Sequence, residues 1–186
     1  AFFNSCMAKH SDIGEFAYFL GLVLARRGKH DASIDAYQRA IRSNPSLADA
    51  HNNLSIELLE TGDAEQALES ASAAIELFPQ NATYHYNCGN AQYALGMLQN
   101  AEKSFQSTIT FEPNFSQAYC NLGNVQSDLG ELDNAAMNYR KALQLNPESH
   151  EALNNLGTVL LDLQKYGEAA QMFAQAIALV PEYVDA

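Results

Sequence analysis

Tryptophan is absent from the 186 residues, cysteine occurs three times and proline five times. Cys6, Cys88 and Cys120 are too few, and odd in number, for a disulfide framework, and none sits in a Cys-x-x-Cys pair. They read as reduced packing residues. Positive charge is scarce: 10 Lys plus Arg stand against 22 Asp plus Glu, a net charge of −12. That balance excludes nucleic acid as the expected partner, because phosphate binding needs clustered Lys and Arg. It argues equally against anionic membrane surfaces. No run approaches the ~18 consecutive apolar residues of a membrane span, so no membrane insertion is expected. No leader pattern is visible either, and the expected location is cytoplasmic.

What is present is a period. The five prolines are Pro45, Pro79, Pro113, Pro147 and Pro181, each 34 residues after the last. A fixed period of this length marks a solenoid or array. With proline in slot 32, the units are 14–47, 48–81, 82–115, 116–149 and 150–183. Other columns keep the same step. Slot seven holds Leu20, Leu54, Cys88, Leu122 and Leu156. Slot eight holds Gly21, Ser55, Gly89, Gly123 and Gly157. Slot fifteen holds Gly28, Gly62, Gly96, Gly130 and then Gln164. Slot twenty-four holds Tyr37, Ala71, Phe105, Tyr139 and Phe173, while slots twenty and twenty-seven are small.

Each column has a physical reading. Apolar residues recur at three-to-four spacing, as in Ala67, Leu68, Ala71, Ala74 and Ile75, which predicts amphipathic helices. Glycine at slot fifteen ends a first helix with a left-handed cap. Proline at slot 32 cannot continue a second. Small residues at slots eight, twenty and twenty-seven let two helices approach, and large ones at slots seven and twenty-four fill the space beside them. Each unit is then helix, turn, helix, loop, and the units stack because one hairpin cannot bury its own apolar face.

These columns resemble the tetratricopeptide repeat family over essentially the whole chain. The resemblance implies an all-α fold, an α-solenoid of tandem antiparallel helix hairpins wound as a right-handed superhelix. Slot four, often Trp in the family, holds Ala17, His51, His85, Tyr119 and Leu153 here. By the same register 1–13 aligns with Asp35–Leu47 and is expected to be the second helix of a preceding partial repeat, with Ser11 where proline would stand. At the other end 184–186 is expected to start a further, truncated repeat. Both point to a longer protein, and the open terminal hairpins suggest self-association.

The resemblance also implies which face works. Slots two, five, six, nine, twelve and thirteen line the inner groove of the family. Slot six reads Phe19, Asn53, Asn87, Asn121 and Asn155; slot nine adds Asn90 and Asn124, and slot five adds Asn52 and Asn154. An asparagine amide has two donors and an acceptor, so a row of them can pair with an extended backbone. The alternative is that they bond one another between repeats. The row resembles the tetratricopeptide region of O-linked N-acetylglucosamine transferases, and a substrate-recruiting arm of such an enzyme is the competing expectation to a free-standing scaffold. Tyr18, Tyr86 and Tyr93 fall in groove slots as candidate aromatic anchors or as packing between repeats.

Slot two holds Glu15, Asp49, Thr83, Gln117 and Glu151, and slot thirteen Arg26, Glu60, Ala94, Asp128 and Asp162; only Arg26 is basic, which argues against the Lys/Arg clamp some family members use for acidic C-termini. Between Arg42 and Lys103 there is no Lys or Arg but there are eight acidic residues, so the expected partner is an extended, neutral-to-basic protein or peptide segment. The early cluster Arg26, Arg27, Lys29, Arg39 and Arg42, interleaved with Asp31 and Asp35, reads as a solvated face with intrahelical pairing. No catalytic residue, metal or cofactor is expected. His51 and His85 share a column with no third ligand column, and no phosphate loop or nucleophile arrangement stands out.

Overall fold

The computed structural model describes the backbone of residues 2–179 and the side chains of residues 13–179. The described residues form ten helices and no strand. The fold is an all-α solenoid of helix hairpins. Two compact units, Ala1–Gly96 and Met97–Ala186, divide it.

The first unit contains α1 (Phe2–Ala25), α2 (His30–Ser43), α3 (Ala48–Glu60), α4 (Ala64–Leu77) and α5 (Ala82–Ala94). The second contains α6 (Leu98–Phe111), α7 (Ser116–Asp128), α8 (Leu132–Leu145), α9 (His150–Asp162) and α10 (Tyr166–Leu179). Within each unit every helix packs on the next, and α3 also touches α5 as α7 touches α9. Within each unit, first helices of successive hairpins, α3 and α5 or α7 and α9, therefore lie side by side as a wall.

The helix ends follow from local chemistry. Gly28, Gly62, Gly96 and Gly130 have φ between 65° and 87°. At the second of these, the Gly62 N–H bonds to the Leu59 carbonyl and the Asp63 N–H to that of Leu58, which satisfies two orphan carbonyls of α3. Asp63 then caps α4 by accepting from the Gln66 N–H at 3.1 Å. Gln164 takes the same left-handed conformation, φ 60°, without being glycine. A side chain there costs about 1–2 kcal/mol, partly offset by the greater chain entropy glycine loses on folding. Gln164→Gly is expected to stabilise the chain by about 0.5–1 kcal/mol in urea denaturation; a loss of stability would contradict this account.

The amino-terminal expectation meets a different arrangement. Residues Phe2–Ala25 are one uninterrupted helix, so no loop separates 1–13 from the first helix of unit 14–47. Ser11 keeps the backbone N–H that proline lacks at this register, and nothing local forces a break. The truncated repeat expected at 184–186 lies outside the described residues.

Tertiary packing pairs slot eight with slot twenty-four. A Cβ built on Gly21 falls 2.5 Å from Cε1 of Tyr37, one on Gly123 falls 2.7 Å from Cε1 of Tyr139, and one on Gly157 falls 2.7 Å from Cε1 of Phe173. Where slot eight is Ser55, its partner slot holds Ala71. Aromatic rings thus lie directly on glycine backbone, and both Tyr37 and Tyr139 are buried. The first unit's core joins Tyr37, Leu54, Leu58 and Ala67; the second gathers Tyr139, Leu156, Val159 and Leu160.

Candidate functional site

In each unit the column asparagines lie on first helices, and amides there are bonded to one another across hairpins. In the first unit Asn87 Nδ2 on α5 donates to Asn52 Oδ1 on α3 at 2.7 Å. Asn52 Nδ2 donates to Asn53 Oδ1 at 3.2 Å, and Asn53 Nδ2 donates to the Tyr18 hydroxyl on α1 at 3.4 Å. In the second unit Asn155 Nδ2 on α9 donates to Asn124 Oδ1 on α7 at 2.9 Å, and the Tyr139 hydroxyl on α8 donates to the same oxygen at 2.7 Å. Asn53, Asn87 and Asn155, all at slot six, reach diagonally to slot five or slot nine of the preceding hairpin.

Burial sorts the candidates. Asn52 and Asn87 are only 5% and 6% exposed, so their amides serve mainly the wall itself. Asn53, Asn90, Asn121, Asn124 and Asn155 are half-buried, and Asn154 is exposed. Asn155 gives one amide hydrogen to Asn124 and retains a second hydrogen and its carbonyl oxygen. Tyr18 and Tyr86 are half-buried, whereas Tyr93 is exposed. The Tyr18 ring stands 5.5 Å from that of Phe19 and 6.1 Å from that of Tyr37.

The histidine column has a structural explanation. His51 Nε2 bonds to the Pro45 carbonyl at 3.1 Å and His85 Nε2 to the Pro79 carbonyl at 2.8 Å, so each ring ties its helix to the preceding loop. Among the described residues no three His, Cys, Asp or Glu side chains converge as metal ligands. In the basic cluster Arg39 pairs with Asp35 at 2.6 Å, four residues earlier on α2. No helix of the described residues is long and apolar enough to cross a membrane.

One constellation escapes the column analysis. The Tyr84 hydroxyl on α5 donates to Asp49 Oδ1 on α3 at 2.6 Å, beside a cavity also lined by Tyr18 and Phe78. Its signal in the sequence is Tyr84 itself, which stands at a register where the other units have Phe16, Ala50, Ala118 and Ala152.

Burial, the largest cause in each case, pushes several acidic protons up. Tyr37 is raised from 10.0 to about 12 and the Cys120 thiol from 9.0 to about 12, with Glu151 adding to the latter. Tyr84 and Tyr18 are also raised, by burial first and then by Asp49. The unfolded chain releases these protons first. Stability is therefore full below about pH 9 and falls as pH climbs through the folded values. Urea midpoints measured from about pH 8 to pH 11 are expected to drop steadily over the upper half of that range; a flat profile would contradict these shifts.

Comparison with known proteins identifies the type of repeat. A tetratricopeptide repeat family model matches residues 120–184, and a second TPR repeat model matches 21–55 and 57–96. The chain belongs to the tetratricopeptide repeat family. No curated protein matches it. Among solved structures, this tetratricopeptide chain is similar to MamA 41-end from Desulfovibrio magneticus RS-1, at 19% identity and TM-score 0.83, over 94% of this chain and 98% of that one. It is similar to pilF of Pseudomonas aeruginosa at 23% identity and TM-score 0.80, over 95% of this chain and 87% of that one. A third similarity is to YrrB, described as a TPR protein with an unusual peptide-binding site, at 18% identity and TM-score 0.72, over 89% and 85%. At these identities the likeness is one of fold. Tetratricopeptide repeats are protein-interaction scaffolds, and no catalytic family matches this one.

Proposed function

We propose that this tetratricopeptide chain is a non-catalytic scaffold that holds an extended, neutral-to-basic peptide segment against its wall of first helices. The observation that carries the reading is the set of half-buried amides already oriented by hydrogen bonds across hairpins. Asn155 is fixed by Asn124, which is fixed in turn by Tyr139, yet Asn155 retains a donor and an acceptor for a ligand backbone. Each backbone contact of this kind is worth about 0.5–1.5 kcal/mol, so binding requires several together and depends little on side-chain identity. The acidic stretch between Arg42 and Lys103 favours neutral-to-basic sequences and gives an affinity that falls with salt. The peptide-binding site named for YrrB is a precedent on the same fold.

The test is selection of binders from a random peptide display library, followed by affinity measurement on the wild type and on Asn53→Ala/Asn87→Ala/Asn121→Ala/Asn155→Ala. Affinity for the selected peptides is expected to fall at least about tenfold, with the helical circular dichroism intact. Unchanged affinity in a folded variant would make the amides purely structural. Affinity that rose with salt would refute the charge preference. The same wall serves equally in a substrate-recruiting arm of a larger glycosyltransferase, a reading supported only by the asparagine column.

A further inference from the structure

The first unit contains a cavity of about 440 Å³ where the loops before α3 and α5 meet α1. Its walls are Tyr18, Phe78 and Tyr84, with Asp49 beside them and residues 46–50 along one edge. The volume lies within the range of small-ligand pockets. We propose that this cavity takes the cationic side chain, arginine or lysine, of a bound peptide, with the aromatic rings around the cation's stem and Asp49 at its charge. The proposal rests on the peptide-scaffold reading above and adds the subsite that makes it prefer basic sequences.

Four observations support it. First, Asp49 is held in place but not neutralised. The Tyr84 hydroxyl fixes Oδ1 at 2.6 Å, and among the described residues no ion pair engages the carboxylate. Second, the lining holds Asp49 and no Lys or Arg. An anion has no partner in this lining, and a single carboxylate among rings is a poor metal site. An organic cation satisfies both the charge and the π faces. Third, a cavity of similar volume at a different place in the second unit, about 400 Å³ among α8, α9 and α10, is lined by Arg140 and Glu168, which already pair at 2.8 Å. Its charge is satisfied internally, whereas that of the Asp49 cavity is open to a ligand. Fourth, the repeat does not require this pairing: Phe16, Ala50, Ala118 and Ala152 occupy the register of Tyr84, Glu15, Thr83, Gln117 and Glu151 that of Asp49, and no other pair of neighbouring units sets a tyrosine against a carboxylate there. Phe78, 58% exposed, is left as a wall that a ligand would cover.

The test uses N-acetyl-arginine methylamide and its lysine and norleucine analogues, titrated into the ¹⁵N-labelled chain and followed by amide chemical shifts. Shifts are expected at residues 46–50 and 78–84, with norleucine binding about tenfold more weakly than arginine. Asp49→Asn is expected to weaken the arginine probe about fivefold, and Tyr84→Phe, which keeps the ring and releases the carboxylate, by a smaller factor. Equal binding of norleucine and arginine, shifts elsewhere on the chain, no shifts at all, or an unaltered response in folded Asp49→Asn would each overturn the cavity assignment. The selected peptides separate this from the wider reading. Peptides that depend on the asparagines but show no preference for Arg or Lys sink the cavity and leave the scaffold standing. A cavity that binds arginine while no peptide depends on the asparagines does the reverse.

Discussion

Gly21→Ala is expected to destabilise the first unit by about 2 kcal/mol, although alanine is the better helix former. The methyl group would sit 2.5 Å from Cε1 and 2.6 Å from Cδ1 of Tyr37. Tyr37 is 1% exposed and has no room to withdraw. Overpacking of this kind costs about 3 kcal/mol at the upper end, against about 1 kcal/mol recovered from helix propensity. The decisive measurement is a double-mutant cycle with Tyr37→Ala in urea. With the ring removed, Gly21→Ala is expected to change sign and stabilise by about 1 kcal/mol, giving a coupling of about 3 kcal/mol. The second repeat has already made the equivalent exchange, with Ser55 in the glycine slot and Ala71 in the aromatic slot. An equal penalty in both backgrounds would mean that the ring is not what excludes the side chain.

Tyr139→Ala carries the larger cost, about 3–5 kcal/mol, because it opens a cavity in the core of the second unit beside Leu156 and Val159. The comparison with Tyr139→Phe divides this effect in two. Phenylalanine keeps the packing, as Phe173 does in the following repeat above Gly157, and loses the hydroxyl bond to Asn124. Its stability cost is expected to be about 0.5–1 kcal/mol. Binding should respond differently. Asn124 would then be held only by Asn155, so peptide affinity is expected to drop about threefold to tenfold in a chain of nearly native stability. If Tyr139→Phe left peptide affinity untouched, the orientation of Asn124 would have no part in recognition.

Both variants act where residues far apart in sequence meet, and this is where sequence reasoning reached its limit. The register of hairpins was legible because its causes are local. A missing N–H at each proline and a permitted positive φ at each glycine act within a turn or two of themselves. The amino terminus shows the same rule in reverse: without a proline at Ser11, α1 continues through it. The candidate amides were legible as a column, but not their bonds. Whether Asn87 faces a ligand or Asn52 depends on a separation between two helices that no periodicity encodes.

By itself, the amino-acid sequence determined the helices, their ends, the 34-residue step and the acidic field, since propensity, capping and charge belong to single residues and near neighbours. Only the tertiary structure decided that slot twenty-four lies on slot eight, that amides interlock diagonally between hairpins, that His51 and His85 bind proline carbonyls, and that Tyr84 aims Asp49 beside a cavity. Those outcomes depend on distances of a few ångströms between packed helices, set by the volumes of all the side chains between them at once.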